Sequence, residues 1–122
     1  MAQSVVLLAK DQQSAQTLAG GLRSRFHAVH ITRSRDELRD KVAKSRPDAV
    51  VLDIEHSRLT DLASLHHDFP SLPIVCTHRI PDEELWMAAL EAGASDVCPA
   101  DDVNDVLTSV LRNMALARTA AA

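Results

Sequence analysis

The chain has 122 residues, 46% of them hydrophobic and 25% charged, with a formal net charge of −4. That balance suits one globular domain with its own core and excludes a disordered, collagen-like or disulfide-stapled chain. No apolar run approaches the roughly 20 residues of a membrane span, and no basic region followed by a long apolar stretch opens the chain, so a cytoplasmic location is expected.

The aromatic residues are Phe26, Phe69 and Trp86, with no tyrosine, and the only lysines are Lys10, Lys41 and Lys44. Residues 1 to 46 carry nine basic and four acidic side chains, whereas residues 81 to 105 carry eight acidic and no basic ones. An acidic face of that size repels a phosphate backbone, so protein partners are expected there rather than nucleic acid.

Val5-Val6-Leu7-Leu8 reads as a buried strand ending near Ala9. Ala15, Leu18, Ala19, Leu22 and Phe26 then recur at helical spacing, with Asp11 or Ser14 near the start. Ala28 to Ile31 is a second strand. Ser34 and Glu37 have the spacing of a capping box, and the helix they open turns Leu38 and Val42 inward and stops before Pro47. Four apolar residues between Asp48 and Asp53 form the clearest strand, with the run buried on both sheet faces.

Residues 54 to 60 read as a loop, and Asp61 to His67 as a helix of about two turns. Leu72 to Thr77 is the fourth strand, with Pro73 tolerable at its start. Pro81 is expected at a first helical position, followed by dipole-matched Asp82, Glu83 and Glu84, and Gly93 closes that helix. Ala94 to Cys98 is a fifth strand. Val103, Val106, Leu107, Val110, Leu111 and Met114 stripe a last helix. The domain is expected over residues 1–114, with the alanine-rich 115–122 a frayed helix end, a linker or an appended tail. Five repeats of strand then helix call for an α/β fold, a parallel sheet with helices on both faces.

In such open sheets, reacting groups gather outside the carboxyl ends of the strands. The candidates are Ala9, Lys10 and Asp11, then Asp53 and Glu55, then Thr77, His78 and Arg79, and finally Pro99 to Asp101. Asp53 directly ends a buried run, so its carboxylate must be solvated by the crevice or paired. From position alone, a functional role and a structural one have equal weight. Glu55 is either a solvated loop residue or a member of the site. The six histidines do not suggest a metal site: His27 and His30 point to opposite faces, and the adjacent His66 and His67 diverge. Cys76 and Cys98 fall on neighbouring strands, where packing as small hydrophobes is favoured over a redox pair. Trp86 falls off the expected core face of its helix, either exposed as a partner anchor or packed against the last helix.

The strand and helix order, the run from Pro47 to Ile54 and the segment Ala92-Gly93-Ala94-Ser95-Asp96 resemble the receiver domain of two-component response regulators, over residues 4 to about 114. The resemblance implies a three-layer sandwich with strand order 2-1-3-4-5. It also implies that Asp53 is the phosphoacceptor, taking its phosphoryl group from a sensor kinase. Receivers hold Mg²⁺ with two acids after strand 1, the acceptor, and the backbone carbonyl two residues beyond it. Here Ala9 and Lys10 stand at the acidic pair, and Asp11 is the only acid in the first 35 residues. The remaining donors are Asp53, Asp11 and the Glu55 carbonyl, so Mg²⁺ binding is expected to be weak at most.

Receivers also place a hydroxyl residue after strand 4, a lysine after strand 5 and an aromatic switch residue on strand 5. His78 stands at the first position, or Thr77 after a one-residue shift; Ala100 stands at the second and Val97 at the third. Arg79, where the family usually has a small residue, crowds the pocket. The reading is an atypical receiver or pseudo-receiver, not an enzyme, acting through contacts with a kinase or an output domain. In it, the Lys10 ammonium stands in for the metal beside Asp53. The resemblance also implies an output or homodimer surface within residues 81–114. One alternative keeps Asp53 as a genuine phosphoacceptor with altered metal use. Another is a flavodoxin-like ligand binder or enzyme, disfavoured because Gly20, Gly21 and Gly93 make no phosphate loop.

Overall fold

A computed structural model describes residues 3–9, 11–55 and 57–121, with side chains through Thr119. Lys10 and His56 lie outside the described residues, and so does the expected Lys10–Asp53 pair. In chain order the elements are β1 (Ser4–Leu8), α1 (Gln12–Arg23), β2 (Ala28–Thr32), α2 (Arg35–Ser45), β3 (Ala49–Asp53), α3 (Leu59–Asp68), β4 (Ile74–His78), α4 (Glu83–Ala92), β5 (Asp96–Pro99) and α5 (Val103–Ala121). The strands form one parallel sheet in the order β2-β1-β3-β4-β5. This is the expected three-layer α/β sandwich.

Strand alternation divides the core in two. Val5, Leu7, Ala49, Val51, Val75 and Cys98 face α1 and α5. Val6, Leu8, Val50, Leu52, Ile74, Cys76 and Val97 face α2, α3 and α4. Central β3 is buried at all five positions, which is why its sequence is an apolar run rather than an alternation. Each Val or Leu fully buried there contributes about 1.5–3 kcal/mol relative to exposure. Cys76 and Cys98 therefore sit on opposite faces of the sheet as free thiols, which rules out the redox pair.

Helix ends follow side-chain chemistry. Asp11 caps α1, its Oδ1 accepting from the Ser14 N–H at 2.7 Å. Ser34 caps α2 by accepting from the Glu37 N–H at 3.1 Å, while Glu37 reaches back to the Arg33 N–H rather than to Ser34. At α4 the expectation needs correction. Asp82 is the N-cap, its Oδ1 accepting from the Leu85 N–H at 3.1 Å, so Pro81 lies outside the helix. A carboxylate able to accept from the first turn takes the cap in preference to a ring with no acceptor. Phe26 also lies beyond its helix, which ends at Arg23, yet the ring stays buried in the α1–α5 core.

Gly93 closes α4 with φ 121°, and a Cβ there would lie 2.4 Å from the His66 ring, so both backbone and packing require glycine. The last helix runs past Met114 to Ala121, so the alanine-rich segment continues α5. Among the described residues, no helix is long and apolar enough to cross a membrane.

Candidate functional site

Asp53 is the last residue of β3 and only 5% exposed. Hydrophobic pairing along β1, β3 and β4 carries the chain to this point, and the strand ends where the carboxylate meets the crevice between loops. One carboxylate oxygen, Oδ1, accepts from the Glu55 N–H at 2.8 Å, which tightens the turn beyond the strand. The Ile54 N–H donates to the Thr77 carbonyl at 3.0 Å, tying that turn to β4.

Thr77 pairs with Asp53 in the register, so the two side chains share one face of the sheet, while His78 points the other way. Thr77 is buried and His78 half-buried, with its ring Nδ1 buried and unpartnered. Ala9 packs at the edge of the α1–α5 core. Ala100 lies in the turn after β5, its N–H donating to the His78 carbonyl at 2.8 Å.

The acidic residues of the neighbouring loops turn toward cationic and N–H partners. The Glu55 carboxylate accepts from the Arg79 N–H through Oε1 at 2.9 Å and from the Ile80 N–H through Oε2 at 3.0 Å. The Arg79 guanidinium reaches across the sheet to Asp11, with Nη1 to Oδ2 at 3.2 Å. Oδ2 of Asp11 also accepts from the Ser14 hydroxyl at 3.2 Å. The Asp11 carboxyl is held below its ordinary pKa chiefly by the Ser14 N–H, opposed by desolvation, with a smaller contribution from Arg79.

Magnesium requires a near-octahedral set of oxygens at about 2.0–2.1 Å. Both Asp11 oxygens face Ser14, one of them facing a guanidinium as well, and the Glu55 carboxylate is turned onto the β4–α4 loop. Among the described residues, no group of three or more His, Cys, Asp or Glu is placed to hold a metal ion. The Asp11 carboxylate is thus committed to Ser14 and Arg79, and no chemical step is routed through Mg²⁺.

Trp86 is 45% exposed on α4, beside Met87 and Leu90. Sequence reasoning missed the Glu55 and Arg79 bridges, which span 24 to 68 residues. For Arg79 and Asp11 the available signal was opposite charge on two loops at the same end of the sheet; for the Glu55 bonds to backbone N–H groups no residue type gave one. It also missed a cluster joining β5 to α5: Asp96 accepts from the Val97 N–H, the Ser109 hydroxyl and Arg112, with the Cys98 thiol at 3.8 Å. A cavity of about 640 Å³ lies at the opposite end of the sheet from Asp53, among Arg46, Pro47, Phe69, Pro73, Met114 and Arg118.

The parallel 2-1-3-4-5 sheet, with a carboxylate closing its central strand, defines the CheY-like, flavodoxin-like α/β class. Comparison with known proteins finds similarity to response regulators in sequence and to receiver domains in fold. The chain is 29% identical over 101 residues to response regulator MprA of Mycobacterium sp. (strain KMS), covering 78% of this chain and 43% of that protein. MprA of Mycolicibacterium vanbaalenii is equally similar, with 42% of its length covered. The chain thus spans about two fifths of the length of the curated relatives it matches.

Among solved structures, a CheY-like receiver domain protein from Methanospirillum hungatei superposes with a TM-score of 0.86 at 15% identity, covering 98% of both chains. A response regulator from Thermotoga maritima gives 0.84 at 15% identity, covering 94% of this chain and 99% of the other. NtrX from Brucella abortus gives 0.84 at 23% identity, covering 99% of this chain and 29% of NtrX. These structural likenesses show the fold. No protein-family model matches the chain.

Proposed function

We propose that this domain is a pseudo-receiver: a receiver fold that signals through protein contacts without standard phosphorylation of Asp53. The observation that carries this reading is the Arg79–Asp11 pair, which places a guanidinium on the one acid of the β1–α1 loop. The sequence supports it further, since Ala9 and Lys10 stand at the acidic pair and no lysine follows Lys44. A carboxylate attacking a phosphoryl group needs its charge repulsion neutralised, and fixed cations or a metal normally supply this. In this reading the Lys10 ammonium replaces the metal beside Asp53 and holds one conformation, as an ion pair at a partly buried site fixes geometry more than it adds stability. The domain is not an enzyme, works in the cytoplasm, and engages a sensor kinase or an output domain. Its acidic 81–105 segment keeps nucleic acid away and leaves the 81–114 face for a protein partner or a second copy.

A second reading keeps Asp53 as a genuine phosphoacceptor with altered metal use. Its support is the placement of Thr77 beside the acceptor on the same sheet face. One experiment separates the two: the protein is incubated with Mg²⁺ and beryllofluoride, and the amide spectrum around Asp53 is recorded. The expected result is no Mg²⁺-dependent change in the wild type, and tighter Mg²⁺ binding in Lys10→Asp. A Mg²⁺-dependent adduct in the wild type that disappears in Asp53→Ala overturns the pseudo-receiver reading.

A further inference from the structure

Among the described residues Ile80 is the most exposed large apolar one, at 72%, and it leads into α4, where Trp86, Met87 and Leu90 are also exposed. Its backbone N–H, with that of Arg79, is held by the Glu55 carboxylate, and Glu55 in turn donates its own N–H to Asp53. The Arg79 side chain extends the connection to Asp11, the N-cap of α1. Three loops after β1, β3 and β4 are thereby joined at one edge of the sheet by two N–H···carboxylate bonds and one ion pair. Hydrogen bonds to a charged acceptor are stronger than neutral ones, and two converging on one carboxylate define the loop's position as well as its strength.

We infer that Glu55 is a clamp: it fixes the β4–α4 loop, with Arg79 and Asp11 as its brace, and so holds Ile80 and the apolar side chains of α4 in their displayed arrangement with no phosphoryl group on Asp53. This inference deepens the pseudo-receiver reading and rests on it for its biological meaning. Glu55 is a positioning residue, since it acts on the loop backbone and not on a reacting atom. The clamp makes the loop a fixed part of the fold rather than a segment that waits for a modification.

The test uses amide hydrogen exchange and acrylamide quenching of Trp86, the single tryptophan, in the wild type, Glu55→Gln and Arg79→Ala, all without phosphodonor. Glutamine keeps the length but has only one oxygen to accept both N–H groups. Exchange of the Arg79 and Ile80 amides in Glu55→Gln is expected to rise about tenfold, the loss of roughly one charge-assisted bond. Quenching of Trp86 is expected to change with it. Amides of β3 and β4 stay protected, which shows that the fold is intact. Arg79→Ala removes only the brace and is expected to raise the Ile80 rate by a smaller factor.

Rates within threefold of wild type in Glu55→Gln overturn the clamp, and so does a released loop that leaves Trp86 quenching unchanged. Should Glu55→Gln unfold, an Ile80 rate in Arg79→Ala equal to that of wild type overturns it. Because no phosphodonor is present, these outcomes are distinct from the beryllofluoride result. An adduct there removes the pseudo-receiver reading and leaves the clamp measurement standing.

Discussion

Asp53 shows how one side chain acquires its surroundings from distant parts of the chain. Its place at the end of β3 follows from four apolar residues before it, which pair with β1 and β4 and carry it to the edge of the sheet. That much is legible in residues 48 to 53. The company it keeps is not, because Thr77 reaches Asp53, and Arg79 reaches Glu55, only when β3 lies beside β4. The cysteines are a contrasting case, since their chemistry follows chiefly from burial. Burial pushes the Cys76 thiol up to about 12 and Cys98 to about 11, from an ordinary value of 9.0. Below pH 9 both stay protonated, so native protein is expected to react with iodoacetamide at pH 8 on the order of a hundredfold more slowly than urea-unfolded protein. Mass spectrometry of the alkylated chain reads this directly. Because the folded values are raised, the thiols favour the native state fully below about pH 9. That contribution is lost as pH rises from there toward 11 and 12.

The elements are where local sequence speaks most clearly, and where single side chains set the ends. Asp11, Ser34 and Asp82 each cap a helix by accepting an N–H three residues on. Asp11 and the Ser34 cap were visible from residue type and spacing; Asp82 was masked by the adjacent Pro81, a residue that also favours helix starts. The β5–α5 connection depended on a side-chain cluster that no local pattern announces. Asp96 accepts from Val97, Ser109 and Arg112, and Ser109 is buried. Removing the carboxylate takes away the acceptor of the buried Ser109 hydroxyl, so Asp96→Ala is expected to cost about 2 kcal/mol. A urea titration should show a lower midpoint at an unchanged slope, since the same surface is exposed on unfolding.

At the scale of the whole molecule, the sheet separates two cores and keeps its two ends chemically distinct. The carboxyl edge carries the charged crevice with Asp53, Glu55, Arg79 and Asp11. At the opposite edge the C-terminal parts of α2 and α5 and the residues after α3 line the large apolar-walled cavity, with Arg46 and Arg118 among them. The last buried residue of α5 is Met114 among the described side chains, and Leu116 beyond it is 60% exposed. We propose that the folding unit ends there. A chain terminated after Ala117 is expected to unfold in one cooperative transition with a Tm within about 3 °C of the full chain, as measured by calorimetry.

By itself the sequence determined the order of strands and helices, the burial of β3, the place of Asp53 and the absence of a switch tyrosine or a late lysine. These follow from periodicity, propensity and residue type, which act over a few neighbours and need no knowledge of the fold. Only the tertiary structure decided that Thr77 rather than His78 shares the face of Asp53, that the two cysteines are parted by the sheet, and that Glu55 and Arg79 join three loops. Those outcomes depend on strand register and on loops brought together across 24 to 68 residues. At that separation a charge has many partners of opposite sign within reach in the unfolded chain, and only packing selects among them.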